Sequence, residues 1–244
     1  MKLTIAWLYP DLMSTYGDRG NIIVLQKRCQ WRGISVKVEE ITLESRLSNL
    51  EHCDFIFMGG AQDRQQKIVG KDFLENKAPV VKVMVEKGIP ALFVCAAYQL
   101  VGHYYKPYQG EKIPGAGIFD LYTEHPGDQK KRLIGNVTAE IVSSKKTIVG
   151  FENHGGRTYL GKDLAPLARV IKGFGNNGED EYEGAVYKNA IGSYFHGPLL
   201  PKNSHIADWL IAKALEVKYK KPIALAPLDD SLEWQAHEVL LNKQ

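Results

Sequence analysis

The chain is short of cysteine, and the few cysteines that it has are isolated. Only Cys29, Cys53 and Cys95 occur among 244 residues, and no two of them are spaced as Cys-x-x-Cys. An odd, ungrouped set argues against a disulfide framework and against a structural zinc site, because both need several cysteines close together. We therefore expect no metal in this chain and a reducing compartment, the cytoplasm.

The sequence also lacks the features of membrane proteins, nucleic-acid-binding proteins and P-loop enzymes. No apolar run approaches the roughly 18 residues of a membrane span. The net charge is only +3, and no basic run alternates with aromatic residues. There is no GxxxxGK[ST] loop and no internal repeat. Met1–Leu8 has the pattern of a first strand rather than of a signal peptide, so we expect no membrane insertion. The small net charge leads us to expect no nucleic-acid partner either.

What the chain has is the pattern of an α/β protein. With 44% hydrophobic and 24% charged residues, it can form one large domain. The first half alternates predicted strands and helices, which indicates a mostly parallel sheet with right-handed crossovers and helices on both faces. These segments are strands Leu3–Tyr9, Ile34–Ile41, Asp54–Met58 and Ile89–Val94, and helices Ile22–Arg32 and Pro79–Lys87.

The second half differs, because short β-like runs separated by Gly and Asn fill the region from Gly115 to Tyr194. They predict hairpins and an antiparallel extension of the sheet rather than a second domain. An amphipathic helix follows Asn203-Ser204 and stops at Pro222. We therefore predict one domain over residues 1–221, with a tail over 222–244 that carries a short helix and packs on the same domain.

Cys95 differs from the other two cysteines in its position. It follows the apolar strand that ends at Val94 and precedes a predicted helix. A cysteine at a sharp strand-to-helix turn has the placement of an exposed nucleophile, and the helix N-terminus favours its thiolate. Cys29 lies in a helical stretch and Cys53 just precedes a strand, so both are predicted to be structural thiols. The pattern at Cys95 indicates covalent catalysis.

A cysteine nucleophile needs a base, and two histidines compete for that role. His196 follows a short β-run and opens the loop His196-Gly197-Pro198, which favours it. His154, in the run Gly150–Arg157, is the alternative.

Two further features bear on a site beside Cys95. Gly59-Gly60 follows a buried strand, where two glycines let main-chain N–H groups approach a ligand, although a tight βα turn would also explain them. With the N–H of Ala96, this loop could form an oxyanion hole. Gln99 lies one helical turn after Cys95, so its amide could reach back toward the nucleophile; an exposed helical glutamine is the alternative.

Together these motifs resemble the class I, or triad-type, glutamine amidotransferases, in the branch that includes cobyric acid synthase glutaminase domains. The chain is more narrowly similar to the GatD family, the glutaminase subunits of lipid II isoglutaminyl synthases. The resemblance extends from about Leu3 to Ala214 and implies a flavodoxin-like class I glutaminase fold. The runs that carry it are Tyr16–Ile22, Gly59-Gly60, Cys95–Gln99, Gly150–Thr158, Gly173–Asn177, Tyr187–Asn189 and Tyr194–Pro198.

The resemblance implies a reaction and the residues that perform it. Cys95 would attack the side-chain amide carbon of L-glutamine, giving a thioester and ammonia, while His196 moves the protons. The N–H groups of Gly60 and Ala96 would hold the oxyanion. Arg132 matches a family position expected to bind the α-carboxylate, which a guanidinium can hold through both oxygens. The other residues that would line this pocket are Gln99, Asn153 and His154.

The family also implies a partner. Ammonia would pass to a Mur-ligase-like, ATP-dependent synthetase (MurT) in a heterodimer, which amidates the D-glutamate α-carboxyl of the peptidoglycan stem peptide. ATP and Mg²⁺ would belong to that partner, and this chain would need no cofactor. The alternatives are a glutaminase for another synthetase, such as a cobyrinate amidase, and a catalytically idle regulatory or scaffolding subunit. A generic flavodoxin-like cysteine hydrolase is a further one.

The sequence departs from the family pattern at two places. Many triad-type glutaminases have a glutamate two residues after the histidine, where this chain has Pro198. The third triad member would then come from elsewhere in the fold or from a carboxylate of the partner, or a dyad would suffice. Alanines also replace customary glycines at Ala61, Ala96 and Ala97, and they fit a tight turn only if φ stays negative.

Overall fold

A computed structural model describes residues 1–242, without the side chain of Tyr16. The described residues form strands in three sheets. The strands are β1 (Lys2–Leu8), β2 (Ser35–Ile41), β3 (Phe55–Met58), β4 (Ala91–Val94), β5 (Tyr104–Lys106), β6 (Ile113–Pro114), β7 (Leu121–Glu124), β8 (Leu133–Ile141), β9 (Thr147–His154), β10 (Arg157–Leu160), β11 (Ala168–Lys172), β12 (Tyr182–Glu183), β13 (Ala185–Tyr187) and β14 (Ala190–Ser193).

The helices of the same residues connect the strands of the first half and end the chain. They are α1 (Arg19–Trp31), α2 (Leu47–Glu51), α3 (Asp63–Asp72), α4 (Ala78–Glu86), α5 (Ala96–Leu100), α6 (Ser204–Tyr219) and α7 (Ser231–Asn242), with 3₁₀ turns at Thr15–Gly17 and Leu200–Lys202 and a π-helical turn at Phe73–Lys77. From residue 1 to 242, no helix is both long and apolar enough to cross a bilayer.

The central sheet has six strands in the order β13-β14-β4-β3-β1-β2. All neighbouring strands in it are parallel except β13, which runs antiparallel to β14. β3 and β4 are buried along their whole length, as continuous apolar strands between two helical layers should be. One face packs on α3, α4 and α5, and the other on α1, α6 and the β8–β9 hairpin. The predicted mostly parallel α/β sheet is confirmed.

The strands of the second half join three different sheets. β13 extends the central sheet, whereas β12-β11-β8-β9 and β10-β7-β5-β6 form two separate four-stranded sheets. The short β-like runs separated by Gly and Asn predicted these strands, because such residues mark the turns between strands. They do not specify which sheet a strand joins, since pairing depends on partners distant in sequence.

The tail after α6 lies against the domain. The Arg28 guanidinium binds the carboxylates of Asp208 and Asp230 at 2.6 to 2.9 Å. In α7, the His237 ring bonds to the Thr147 hydroxyl and the Lys202 carbonyl, both at 2.8 Å. Helix α7 lies within the tail for which the sequence predicts a short helix. The boundary at residue 222 stays a prediction, and residues 243 and 244 lie outside the described residues.

Candidate active site

Cys95 occupies a strained turn between β4 and α5. Its φ of 54° and ψ of −105° are unusual for a residue with a side chain, and such strain is concentrated at functional sites. The Cys95 N–H donates to the Ser193 carbonyl at 2.9 Å, so β14 fixes this turn. Burial raises the pKa of Cys29 and of Cys53 to about 12. Those two thiols are therefore unreactive at neutral pH, whereas Cys95 opens into a cavity.

The alanines around this turn meet the conformational requirement set by the sequence. Ala61, Ala96 and Ala97 all keep negative φ, because the positive φ falls on Cys95 itself. Helix α5 can therefore begin directly after Cys95 with alanine at its first two positions.

His196 is the histidine that lies beside Cys95. It follows β14, is fully buried, and is held by two main-chain hydrogen bonds with Phe151. Burial lowers its pKa, but the negative charges of Cys95 and Asp18 and its hydrogen bonds to both outweigh that effect and raise the pKa to about 10. His196 can therefore carry a positive charge at neutral pH, and an imidazolium beside the cysteine sulfur is the arrangement that activates a cysteine nucleophile.

Asp18 supplies the carboxylate that the sequence does not place after His196. Its Oδ1 lies 3.2 Å from His196 Nδ1, and its Oδ2 accepts the Gly60 N–H at 2.7 Å. Both Asp18 and His196 are fully buried. The carboxylate that orients His196 thus comes from this chain, from a residue 178 positions before the histidine. Pro198 instead packs against α1, where a Cβ at Gly20 would collide with its ring.

Gly59 and Gly60 have no room for a side chain, because neighbouring residues lie too close to their main chain. A tight turn alone therefore does not explain the glycine pair. A Cβ at Gly60 would lie 2.8 Å from His196 Cε1 and 3.3 Å from Cys95 Cβ, and a Cβ at Gly59 would lie 2.5 Å from the Met13 carbonyl oxygen. The Gly60 N–H, predicted to face an oxyanion, donates to Asp18 in this structure. The oxyanion hole of Gly60 and Ala96 stays a prediction. To donate to an oxyanion, the Gly60 N–H would have to rotate away from Asp18 or form a bifurcated hydrogen bond with both.

The cavity has a volume of about 350 Å³ and lies at the carboxyl ends of β3, β4 and β14. That volume is in the range of small-molecule sites. It brings together the side chains that the sequence singled out, namely Cys95, His196, Gln99, Arg132, Asn153 and His154. Lining residues that the sequence reasoning missed include Thr15, Asp63, Gln66 and Tyr105.

Arg132 and Asp63 place opposite charges in this cavity. Asn153 orients the Arg132 guanidinium, because its side-chain oxygen accepts from Nε and its carbonyl from Nη2, both at 3.1 Å. Asp63 begins α3, three residues after Gly60. A carboxylate and a guanidinium in one small cavity suit a zwitterionic amino acid.

Gln99 and His154 form the inner wall. Gln99 is buried, which excludes the exposed helical glutamine; its amide is held by Gln66 at 3.0 Å and by the Tyr194 hydroxyl at 3.1 Å, and these bonds do not run back to the nucleophile. The His154 ring stacks on Tyr194, with centroids 3.6 Å apart, and its Nδ1 bonds to the Gly156 carbonyl at 2.8 Å. Burial lowers the pKa of His154, so it is neutral.

The sequence contains only weak indications of the missed residues. Asp18 lies in the run Tyr16–Ile22, which follows β1. The carboxyl end of β1 lies beside that of β3, so residues after β1 can reach the site. Asp63 directly continues the glycine-pair loop.

Within residues 1–242, no three His, Cys, Asp or Glu side chains are grouped as a metal site would require. That the chain acts without a cofactor stays a prediction.

Comparison with known proteins agrees with this geometry. Residues 4–204 match the CobB/CobQ-like glutamine amidotransferase domain. The chain is 42% identical over 99% of its length to the lipid II isoglutaminyl synthase (glutamine-hydrolyzing) subunit GatD of Staphylococcus aureus, of which it covers 96%. It is 38% identical over 97% of its length to the GatD subunit of Streptococcus pneumoniae, of which it covers 90%.

A solved structure shares the fold. The crystal structure of a glutamine amidotransferase from Thermotoga maritima superposes with a TM-score of 0.52 at 18% identity, over 98% of this chain and 93% of that one. The chain therefore belongs to the CobB/CobQ-like glutamine amidotransferases and, within them, to the GatD family of glutamine-hydrolysing subunits.

Proposed function

We propose that this chain is the glutaminase subunit of a lipid II isoglutaminyl synthase, which hydrolyses L-glutamine and delivers the ammonia to a ligase subunit. The observation that carries the proposal is the buried Asp18–His196 pair beside Cys95, at the wall of a cavity that also holds Arg132 and Asp63. The GatD relatives that the chain matches over nearly its full length are named for this activity.

The proposed chemistry starts from the Cys95 sulfur and the charged His196 ring beside it. The Cys95 thiolate attacks the side-chain amide carbon of glutamine, and the His196 imidazolium gives its proton to the departing nitrogen, which leaves as ammonia. His196, now neutral, takes a proton from water, whose oxygen attacks the thioester carbon. Glutamate leaves, and the Cys95 thiolate and His196 imidazolium are restored. Asp18 orients the ring throughout and stabilises its positive form at the start and the end of the cycle.

Charged side chains would bind the α-carboxylate and the α-ammonium group of the substrate. The Arg132 guanidinium binds the α-carboxylate, and Asp63 attracts the α-ammonium group. Gln99, Asn153 and His154 shape the pocket between them, since Asn153 holds Arg132 and Tyr194 holds the other two. The N–H of Ala96, at the start of α5, and that of Gly60 are the proposed oxyanion donors.

The ammonia requires a second subunit. We infer a Mur-ligase-like, ATP-dependent partner of the MurT type that activates the D-glutamate α-carboxyl of the stem peptide and forms a heterodimer with this chain. ATP and Mg²⁺ would bind to that partner, and we expect both subunits in the cytoplasm. The absence of a GxxxxGK[ST] sequence in the chain is consistent with this division.

The test is glutamate release from L-glutamine by the chain alone and with its ligase, ATP and lipid II, with amidated lipid II measured by mass spectrometry. Cys95→Ala should abolish release and glutamine-dependent amidation, while ammonium chloride should restore amidation. Cys95→Ser offers a milder control of the same shape. Glutamine-dependent amidation by the Cys95→Ala complex would identify an idle scaffolding subunit. Glutamate release without lipid II amidation, but with amidation of a cobyrinate acceptor, would support the other synthetase.

A further inference from the structure

The segment that carries His196 leaves the central sheet before it reaches the site. The pairing of β13 with β14 ends one residue before Ser193. Beyond that point a side chain replaces the missing strand. Oε1 of Glu183 accepts the Tyr194 N–H at 2.7 Å and the Ser193 hydroxyl at 2.8 Å, and that hydroxyl in turn accepts the Phe195 N–H at 3.0 Å. One buried carboxyl group therefore orders three consecutive residues.

We propose that Glu183 is a positioning residue of the catalytic centre, whose carboxyl group holds the Ser193–Phe195 segment so that His196 lies beside Cys95. This inference rests on the proposed glutaminase function and names a residue that acts on the same site. The link to the nucleophile is short, because the Ser193 carbonyl accepts the Cys95 N–H at 2.9 Å. Glu183 thus orders both the residue that directly precedes His196 and the residue whose carbonyl accepts the Cys95 N–H.

Glu183 also acts on the wall of the glutamine pocket through Tyr194. The Tyr194 hydroxyl bonds to Gln99 at 3.1 Å and to Thr158 at 2.6 Å, and the Tyr194 ring stacks on His154. A shift of the Tyr194 main chain would therefore displace the substrate pocket together with the base.

The run Gly173–Asn177 keeps Glu183 in place, which gives that family-like motif a physical role. Asn176 holds the next residue, Gly184, by accepting its N–H at 2.9 Å and donating to its carbonyl at 3.1 Å. Gly184 has φ of +63°, and a Cβ there would lie 2.6 Å from the Gly192 carbonyl oxygen, so only glycine lets the two strands meet at this point.

The charge on Glu183 is unusual for a carboxylate. Burial and the nearby Glu152 of β9 raise its pKa to about 8, against the hydrogen bonds from Ser193, Tyr194 and Gly184, which lower it. The other titratable groups facing it, Tyr98 of α5 and Tyr194, have pKa values raised by burial and remain neutral. Glu183 therefore carries a proton at neutral pH, and a glutamine at this position would imitate it.

The experiment measures the alkylation rate of Cys95 by iodoacetamide between about pH 5 and pH 10, followed by peptide mapping, together with kcat and KM for glutamine in the ligase complex. Glu183→Ala should slow alkylation and lower kcat/KM by about tenfold or more at pH 7, because a buried donor loses its acceptor. Glu183→Gln should stay within about twofold of the wild type at pH 7, because its amide oxygen can accept the same hydrogen bonds from Ser193 and Tyr194. Glu181→Ala, an exposed acid two residues earlier, is the matched control.

The outcomes separate this inference from the proposed function. A folded Glu183→Ala protein with the wild-type alkylation profile overturns the role of Glu183 even if the wild type hydrolyses glutamine. If Glu183→Ala does not fold, Ser193→Ala decides, because it removes the hydroxyl that links Glu183 to the Phe195 N–H, and a wild-type alkylation rate in that variant overturns the proposal. Normal alkylation of the wild type without glutamate release contradicts the glutaminase function alone, because alkylation requires no glutamine.

Discussion

Asp18→Asn is the substitution that tests the site most directly, because one carboxylate serves two donors. His196 Nδ1–H and the Gly60 N–H face separate oxygens of Asp18, at 3.2 Å and 2.7 Å. Asparagine has nearly the same shape but offers one acceptor and one NH₂ group. Whichever way the amide turns, one buried donor must face another donor, and the imidazolium loses its counter-charge.

The size of the effect can be worked from the same contacts. Raising the His196 pKa from its ordinary value near 6.5 to about 10 corresponds to roughly 5 kcal/mol in favour of the imidazolium. Asp18 shares this with Cys95, and an unpaired buried donor costs about 1 to 3 kcal/mol. We therefore expect kcat for glutamine hydrolysis to fall by about a hundredfold, or roughly 3 kcal/mol, and the His196 pKa to decrease.

Stability should change with a definite pH dependence. Because the His196 pKa is raised on folding, its contribution to the free energy of unfolding is complete below about pH 6.5 and is lost as the pH rises through about 10. Asp18→Asn should therefore lower that free energy most near pH 6, by about 1 to 3 kcal/mol, with a smaller difference toward pH 10.

The assays are glutamate release and urea unfolding across this pH range. Asp11→Asn is the matched control, since Asp11 lies in the same loop but is exposed. Unchanged kcat and an unchanged pH profile in Asp18→Asn would refute the assignment and would return the third position to the partner or to a dyad.

Three further changes test other parts of the chain. Gly60→Ala should reduce glutamate release by about a hundredfold or more, because the new Cβ would lie 2.8 Å from the His196 ring; Gly70→Ala, whose Cβ meets only ordinary contacts, should be harmless. Arg132→Gln should raise KM for glutamine by about tenfold or more with a smaller effect on kcat, since a charge-assisted bond is lost. An unchanged KM would exclude Arg132 from carboxylate binding. Asp208→Asn should lower the free energy of unfolding by about 1 to 3 kcal/mol at pH 7. Burial raises the Asp208 pKa, but its hydrogen bonds and ion pairs with Arg28 and Arg32 together lower it, so this loss should disappear as the pH falls through the acid range. The same loss at pH 3 would contradict the ion-pair explanation.

The sequence predicts the parts of the site that are local to one strand end. The turn at Cys95 follows from an apolar strand, a cysteine and a helix in direct succession. The role of His196 as the base follows from its position directly after the last parallel strand. Parallel strands bring their carboxyl ends to one edge, so these residues had to meet. Asp18 could not be derived in this way. Its position depends on how α1 packs against Pro198, and that contact joins segments at opposite ends of the chain.

The dual contact of Asp18 also links the two halves of the proposed mechanism. If the Gly60 N–H turns to a developing oxyanion, Asp18 Oδ2 loses its donor at the moment when the reaction forms negative charge on the substrate. The Asp18 charge is then left to the His196 imidazolium, which must hold its proton until the amide nitrogen departs. Proton transfer before the oxyanion forms would leave Asp18 buried beside a neutral ring, which is unfavourable for a carboxylate that is itself fully buried. The geometry therefore favours attack by Cys95 before proton transfer from His196, and a single carboxylate makes the two steps depend on each other.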